Sequence, residues 1–186
     1  MTQKQALVIV TGNPAKAQVI QAAIERPTTH IKLDLPEIQS VDVREVIEHK
    51  ARGAYQAVGK PVLVEDTGLF IKAWNGLPGA LVKWFLHTVG NDVICKMLEG
   101  YEQLDAVAEA CLGYFDGESF AAFSGVVEGK IARQPRGQGG FGWDPIFIPN
   151  GWEKTFAELT PEESKLVSMR RLAWTKLKVY LDERGL

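Results

Sequence analysis

Val62-Leu63-Val64-Glu65-Asp66-Thr67-Gly68 is a short apolar run that stops at two adjacent carboxylates, after which Thr67 and Gly68 break it. The pattern predicts a buried strand over Val62–Glu65 with Glu65 and Asp66 at its carboxyl end, where open α/β sheets keep their ligand chemistry. Downstream, Leu69 to Trp74 reads as a segment that pairs with a neighbour, and Asn75-Gly76 is a strong turn signal. Gly79 to Val89, carrying Lys83, and Asp92 to Leu98 read as helices. Carboxylates and lysines gathered around one strand, with only three histidines in the chain, point to metal-and-phosphate chemistry rather than a proton-shuttling triad.

Working upstream, Asp42 followed by Glu45 resembles a helix start, and Ile47, Ala51, Ala54 and Val58 then share one helical face. Ile31 to Leu35 alternates like a strand. Ala6 to Val10 is a short apolar strand, Thr11-Gly12-Asn13-Pro14 is a turn, and Ala15 to Ile24 is a helix. Toward the C-terminus, Val107 to Phe115 and Phe120 to Ile131 flank Asp116-Gly117 as a long hairpin. Arg133 to Gly142 is a Gly-rich loop. Thr160-Pro161-Glu162-Glu163 has the cap, the first-turn proline and the capping-box glutamate of a helix that should run to about Asp182. Strands and helices alternate early and a hairpin comes late. The expected fold is α/β: one domain over residues 1–186, with a central mixed sheet flanked by helices, elongated and bent into two lobes with a cleft.

The bulk properties narrow the function. With 186 residues and 46% apolar side chains the chain can bury a proper core. A net charge of −2 does not suit a broad nucleic-acid-binding face. No apolar run approaches membrane-span length, and Met1-Thr2-Gln3-Lys4-Gln5 has no charged-then-apolar export signal, so a cytoplasmic protein is expected. Cys95 and Cys111 lack metal spacing and read as buried thiols.

Each motif has a plain and a functional reading. Thr11-Gly12-Asn13 with Lys16 is either an ordinary helix cap and a surface lysine or an anion site built from backbone N–H groups, Thr and Asn side chains and a cation. Gly137 to Gly142 matches G-x-G-x-x-G literally but opens no helix, since Trp143-Asp144-Pro145 follows, so it is not a dinucleotide fingerprint. As a loop delivering Phe141-Gly142-Trp143-Asp144 it offers rings to stack on a flat base and a carboxylate for polar edges. Its plain reading is a turn anchored by core aromatics. Glu65, Asp66 and Glu37 are either surface acids or hard oxygen ligands suited to Mg²⁺. His30, His49 and His87 are scattered and read as surface or partly buried residues. Lys165, Ser168 and Arg170 share the last expected helix, Lys165 and Ser168 on one side of it, as a solvated basic face or a binding face.

Taken together, five ordered segments resemble the inosine triphosphate pyrophosphatase (Ham1-like) family over nearly the whole chain. They are Thr11-Gly12-Asn13 with Lys16; Leu35-Pro36-Glu37; Val64 to Leu69 with Leu77-Pro78-Gly79 and Lys83-Trp84-Phe85; Phe141-Gly142-Trp143-Asp144-Pro145; and Lys165 with Ser168 and Arg170. The resemblance implies hydrolysis of the deaminated purine triphosphates ITP, dITP and XTP to the monophosphate and pyrophosphate, in a two-lobed homodimer. It implies Mg²⁺ on Glu37 and Asp66, with Asp66 also accepting the proton of water and Glu65 and Lys16 beside it in the catalytic set. Thr11, Gly12, Asn13, Lys16, Lys50, Thr67 and Lys83 would bind or support the triphosphate. Phe141, Gly142 and Trp143 would enclose the base, with Asp144, Lys165, Met169 and Arg170 nearby.

One departure is chemical. The family motif reads Ser-His-Arg, and its His recognises the base; this chain reads Ser168-Met169-Arg170. Methionine is a weak acceptor and donates nothing. Losing one such bond costs roughly 1–3 kcal/mol, about one to two decades of discrimination. Base preference is therefore where this chain would depart from the family. The alternatives are the same reaction on another base and, from a different class, a nucleotide-binding protein without turnover.

Overall fold

The computed structural model describes residues 6–24 and 27–186. The first five residues, read above for an export signal, lie outside the described part. Among the described residues, seven strands form one mixed sheet: β1 (Leu7–Val10), β2 (Thr28–Ile31), β3 (Val62–Ile71), β4 (Pro78–Gly79), β5 (Asp105–Phe115), β6 (Phe120–Ile131) and β7 (Phe147–Pro149). Their order is β2-β1-β3-β5-β6-β7, with β4 paired to β3 off that path. β1 runs parallel to β2 and β3, whereas β4 is antiparallel to β3 and β7 to β6. The helices are α1 (Pro14–Ala23), α2 (Val43–Val58), α3 (Val82–Thr88), α4 (Gly90–Met97), α5 (Pro161–Leu166) and α6 (Met169–Glu183). Among the described residues no helix is long and apolar enough to cross a membrane. Neither Cys95 nor Cys111 is in a disulfide; both are buried, and burial pushes the Cys95 thiol up to about 11.

The described residues divide into two compact units: those up to Asp66, with 110–125 and 170–186, form one, and residues 67–109 and 126–169 the other. The first unit is built by strand parity. Successive side chains on a strand point to opposite faces. Leu63, Leu112 and Tyr114 share a core with Ile20 of α1 and Trp174 and Leu177 of α6. Val64 and Gly113 face the other way. A Cβ on Gly113 would clash with Ile47 of α2, which fixes α2 over that second face. The helix is capped at both ends: the Asp42 carboxylate accepts from the N–H of Arg44, and Gly59, at φ 67°, turns the chain out in the left-handed region. Ile47, Ala51 and Ala54 are buried as their spacing predicts.

In the second unit, Trp143, Phe147 and Phe156 pack as an aromatic core, with Phe147 and Phe156 ring centroids 4.9 Å apart. The Gly-rich loop lies tightly on Ala157, where a Cβ at Gly137 would meet the Ala157 backbone, and Gly139 N–H donates to the Ala157 carbonyl at 3.1 Å.

Three expectations need correcting. β3 does not end at Glu65: it continues through Thr67 and Gly68 to Ile71, because Leu69 and Phe70 pair with Gly79 and Pro78 across the Asn75-Gly76 turn. The second strand is Thr28–Ile31 rather than Ile31–Leu35, since its four-residue partner β1 pairs no further than Val10 with Ile31. The last helix is two helices. α5 ends at Leu166, and α6 begins at Met169 after Ser168, a favoured residue type just before a helix. Lys165 and Ser168 therefore do not share a helical face.

Candidate active site

The mid-strand position of Glu65 and Asp66 sends the two carboxylates apart. Glu65 has the parity of Leu63 and faces the side covered by α1 and α6; Asp66 has the parity of Val64 and faces α2. Glu65 meets the cations of α1 and α6, whereas Asp66 meets that of α2 and shares the one on α1. Glu65 Oε1 lies 3.3 Å from Arg170 Nη2 on α6 and 3.8 Å from Lys16 Nζ on α1. Asp66 Oδ2 lies 3.7 Å from Lys50 Nζ on α2, and its Oδ1 also reaches Lys16 Nζ at 3.3 Å. Glu37, on the irregular segment between β2 and α2, accepts from Lys50 Nζ at 2.6 Å. Three acids and three bases thus alternate within the first unit, and their formal charges cancel.

Burial sets the energetics. The Glu65 side chain is 0% exposed and Arg170 only 11%. Both Glu65 oxygens lack a hydrogen bond, and Oε1 is the one that meets the two cations. Burial by itself would lower the Lys50 pKa, but Asp66 and Glu37, with Glu65 behind them, outweigh it, and the ammonium is held above its ordinary value. Lys50 is therefore a permanent cation at neutral pH.

The loop from β1 to α1 reads as its sequence suggests. Thr11 is buried, and its hydroxyl accepts from the Asn13 N–H at 3.2 Å. The Asn13 side chain accepts from the Lys16 N–H at 3.2 Å, and Pro14 starts the helix. These bonds place Lys16 one turn into α1 with its ammonium against β3.

The remaining expected site residues lie in the second unit. Thr67 is the half-buried residue of β3 after Asp66, and Lys83 is exposed on α3. Phe141 is half-buried, Gly142 is exposed, and the Gly142 carbonyl accepts from Asn91 Nδ2 at 2.9 Å. Asp144 accepts from the Phe141 N–H at 2.8 Å, closing the turn on itself. Trp143 is buried at 5% exposure with its ring on Phe147 and Phe156, so Phe141 carries the accessible ring of the loop. Lys165 is exposed near the end of α5, and Met169 is buried at the start of α6.

Arg170, expected beside a base, pairs with Glu65. His30 is the residue that sequence reading passed over: its Nε2 lies 3.0 Å from the Thr11 carbonyl. A single His in a short polar strand carries no local signal, and the contact exists only because β2 runs parallel beside β1. Among the described residues, no three His, Cys, Asp or Glu side chains form a ready-made metal cage. Mg²⁺ does not require one, since it takes one or two carboxylates and completes its shell with phosphate oxygens and water.

The Ham1 family model matches residues 7–180. The inosine triphosphate pyrophosphatase of Schizosaccharomyces pombe is 43% identical over 186 residues, covering 98% of each chain. The dITP/XTP pyrophosphatase of Thermococcus kodakarensis is 39% identical over 95% of this chain and 97% of its own. Among solved structures, a Ham1 protein from Coxiella burnetii superposes with a TM-score of 0.80 at 30% identity, covering 95% of this chain and 99% of that one.

Proposed function

The chain belongs to the Ham1 family, and from that membership we infer that it is a nucleoside triphosphate pyrophosphatase acting on ITP, dITP and XTP with Mg²⁺. The observation that carries the reading is the cluster on β3: Asp66 held between Lys16 and Lys50, with Glu37 on the same lysine.

Hydrolysis to monophosphate and pyrophosphate needs water to attack the α-phosphorus while pyrophosphate leaves. Charge spreads over phosphate oxygens, so fixed cations stabilise the transition state more than the ground state. Lys16 and Lys50 are such cations, each already pinned by carboxylates and needing little reorganisation. In this reading Asp66 orients water and accepts its proton. Glu37 and Asp66 are the residues that would hold Mg²⁺. Their fit is supported by the fact that one Lys50 ammonium already lies against both. The ion would supply further positive charge to the phosphate oxygens. Glu65 is too buried to meet water; its part in this reading is to fix Lys16 and Arg170. On the second unit, the Phe141 ring is the group offered for stacking on a base. A homodimer is the assembly the resemblance implies.

The test is pyrophosphate release from ITP, dITP and XTP beside ATP, GTP and CTP, with Mg²⁺ and with chelator. The expected result is turnover of the first three that chelator abolishes. Activity spread evenly over all six would keep the chemistry and assign it another substrate range through Met169. Binding without turnover would overturn the enzymatic reading.

A further inference from the structure

We propose that His30 is a positioning residue for the phosphate-facing loop Thr11–Lys16, a proposal that rests on the function above. The β1–β2 ladder ends at the pair Val10 and Ile31. Thr11 follows it, only 5% exposed. Its N–H donates to the Ile31 carbonyl at 3.2 Å, but its own carbonyl lies beyond the last paired residue. The His30 ring meets that carbonyl at 3.0 Å. A carbonyl only accepts, so the bond requires a proton on Nε2, and in the neutral ring Nδ1 is the bare nitrogen.

The consequence lies one residue on. The peptide between Thr11 and Gly12 is planar, so holding its carbonyl fixes the direction of the Gly12 N–H on the opposite side. From there the loop is set by short bonds, Asn13 N–H to Thr11 Oγ1 and Lys16 N–H to Asn13 Oδ1, ending with Lys16 Nζ at 3.3 Å from Asp66. An imidazole rooted on β2 thus aims the first amide of a loop that would receive phosphate, without touching the substrate itself.

The test uses inorganic pyrophosphate, the product, as probe. His30→Leu should weaken pyrophosphate binding, read by calorimetry, about three- to tenfold. It should raise the KM for ITP in parallel and leave kcat within about twofold. His30→Gln, which keeps an N–H donor, should recover most of the binding. In the wild-type protein, nitrogen NMR should show His30 protonated on Nε2. Unchanged pyrophosphate affinity in His30→Leu, with only a lower melting temperature, would overturn the proposal, as would a bare Nε2 in the wild type. If the wild type binds pyrophosphate but does not hydrolyse ITP, the functional reading fails while the comparison on pyrophosphate still decides the role of His30.

Discussion

Asp66 and Glu65 are neighbours in sequence with opposite environments, and the difference is one of strand parity. Asp66 reaches two lysines and remains partly exposed, whereas Glu65 is sealed against Arg170. Two predictions follow from that split. Asp66→Asn keeps the shape but removes the proton acceptor, and should lower kcat by about 10²–10⁴. Folding should be little changed, which a melting curve checks. Arg170→Met leaves a buried carboxylate without its nearest cation and should cost about 3–5 kcal/mol in urea unfolding. Adding Glu65→Gln should recover part of that loss, because the unpaired charge is gone. A full additive loss in the double variant would show that the pair is not coupled.

At the scale of elements, the hairpin and the α2 layer each expose one interaction to test. The Asp116 carboxylate accepts from the Ser119 and Glu118 N–H groups in the β5–β6 turn. The Ser119 bond, helped by Glu118 and by Arg184, holds the carboxyl below its ordinary range. A depressed carboxyl contributes stability above the unfolded value of about 3.9 and loses it as pH falls through the folded value. Asp116→Asn should therefore melt below the wild type at neutral pH, with the gap closing as pH falls below about 4. Gly113→Ala would drive a methyl into Ile47 of α2 and against Val64. It should destabilise by about 1–3 kcal/mol, and a melting curve no lower than wild type would contradict the α2 packing described. These elements also show where sequence reading succeeds. Local signals suffice for the Asp42 cap, the Thr160 capping box and the hairpin, since capping and turn chemistry are satisfied within a few residues. They fail where the partner is distant. Thr67-Gly68 looks like a break until β4 pairs with Leu69 and Phe70 just beyond it, and the start of β2 is set by β1 rather than by its own alternation.

For the whole molecule, the motifs were legible as a set because phosphate chemistry constrains residue types tightly. Lys16, Glu37, Lys50, Glu65 and Asp66 come together in one chain of ion pairs. What sequence could not show is the orientation of a side chain. Trp143 turns into an aromatic core and Arg170 into a buried ion pair, and both depend on the packing of segments far apart in the chain. His30 is the same lesson in reverse, a contact made by strand adjacency alone. Water attack on the α-phosphorus at a site built on Asp66, with pyrophosphate departing intact, is the centre of the proposed function. Its most direct test is hydrolysis of ITP in water labelled with heavy oxygen, followed by mass spectrometry of both products. The expected result is one labelled oxygen in the inosine monophosphate and none in the pyrophosphate. Label in the pyrophosphate, or release of single phosphates, would contradict it.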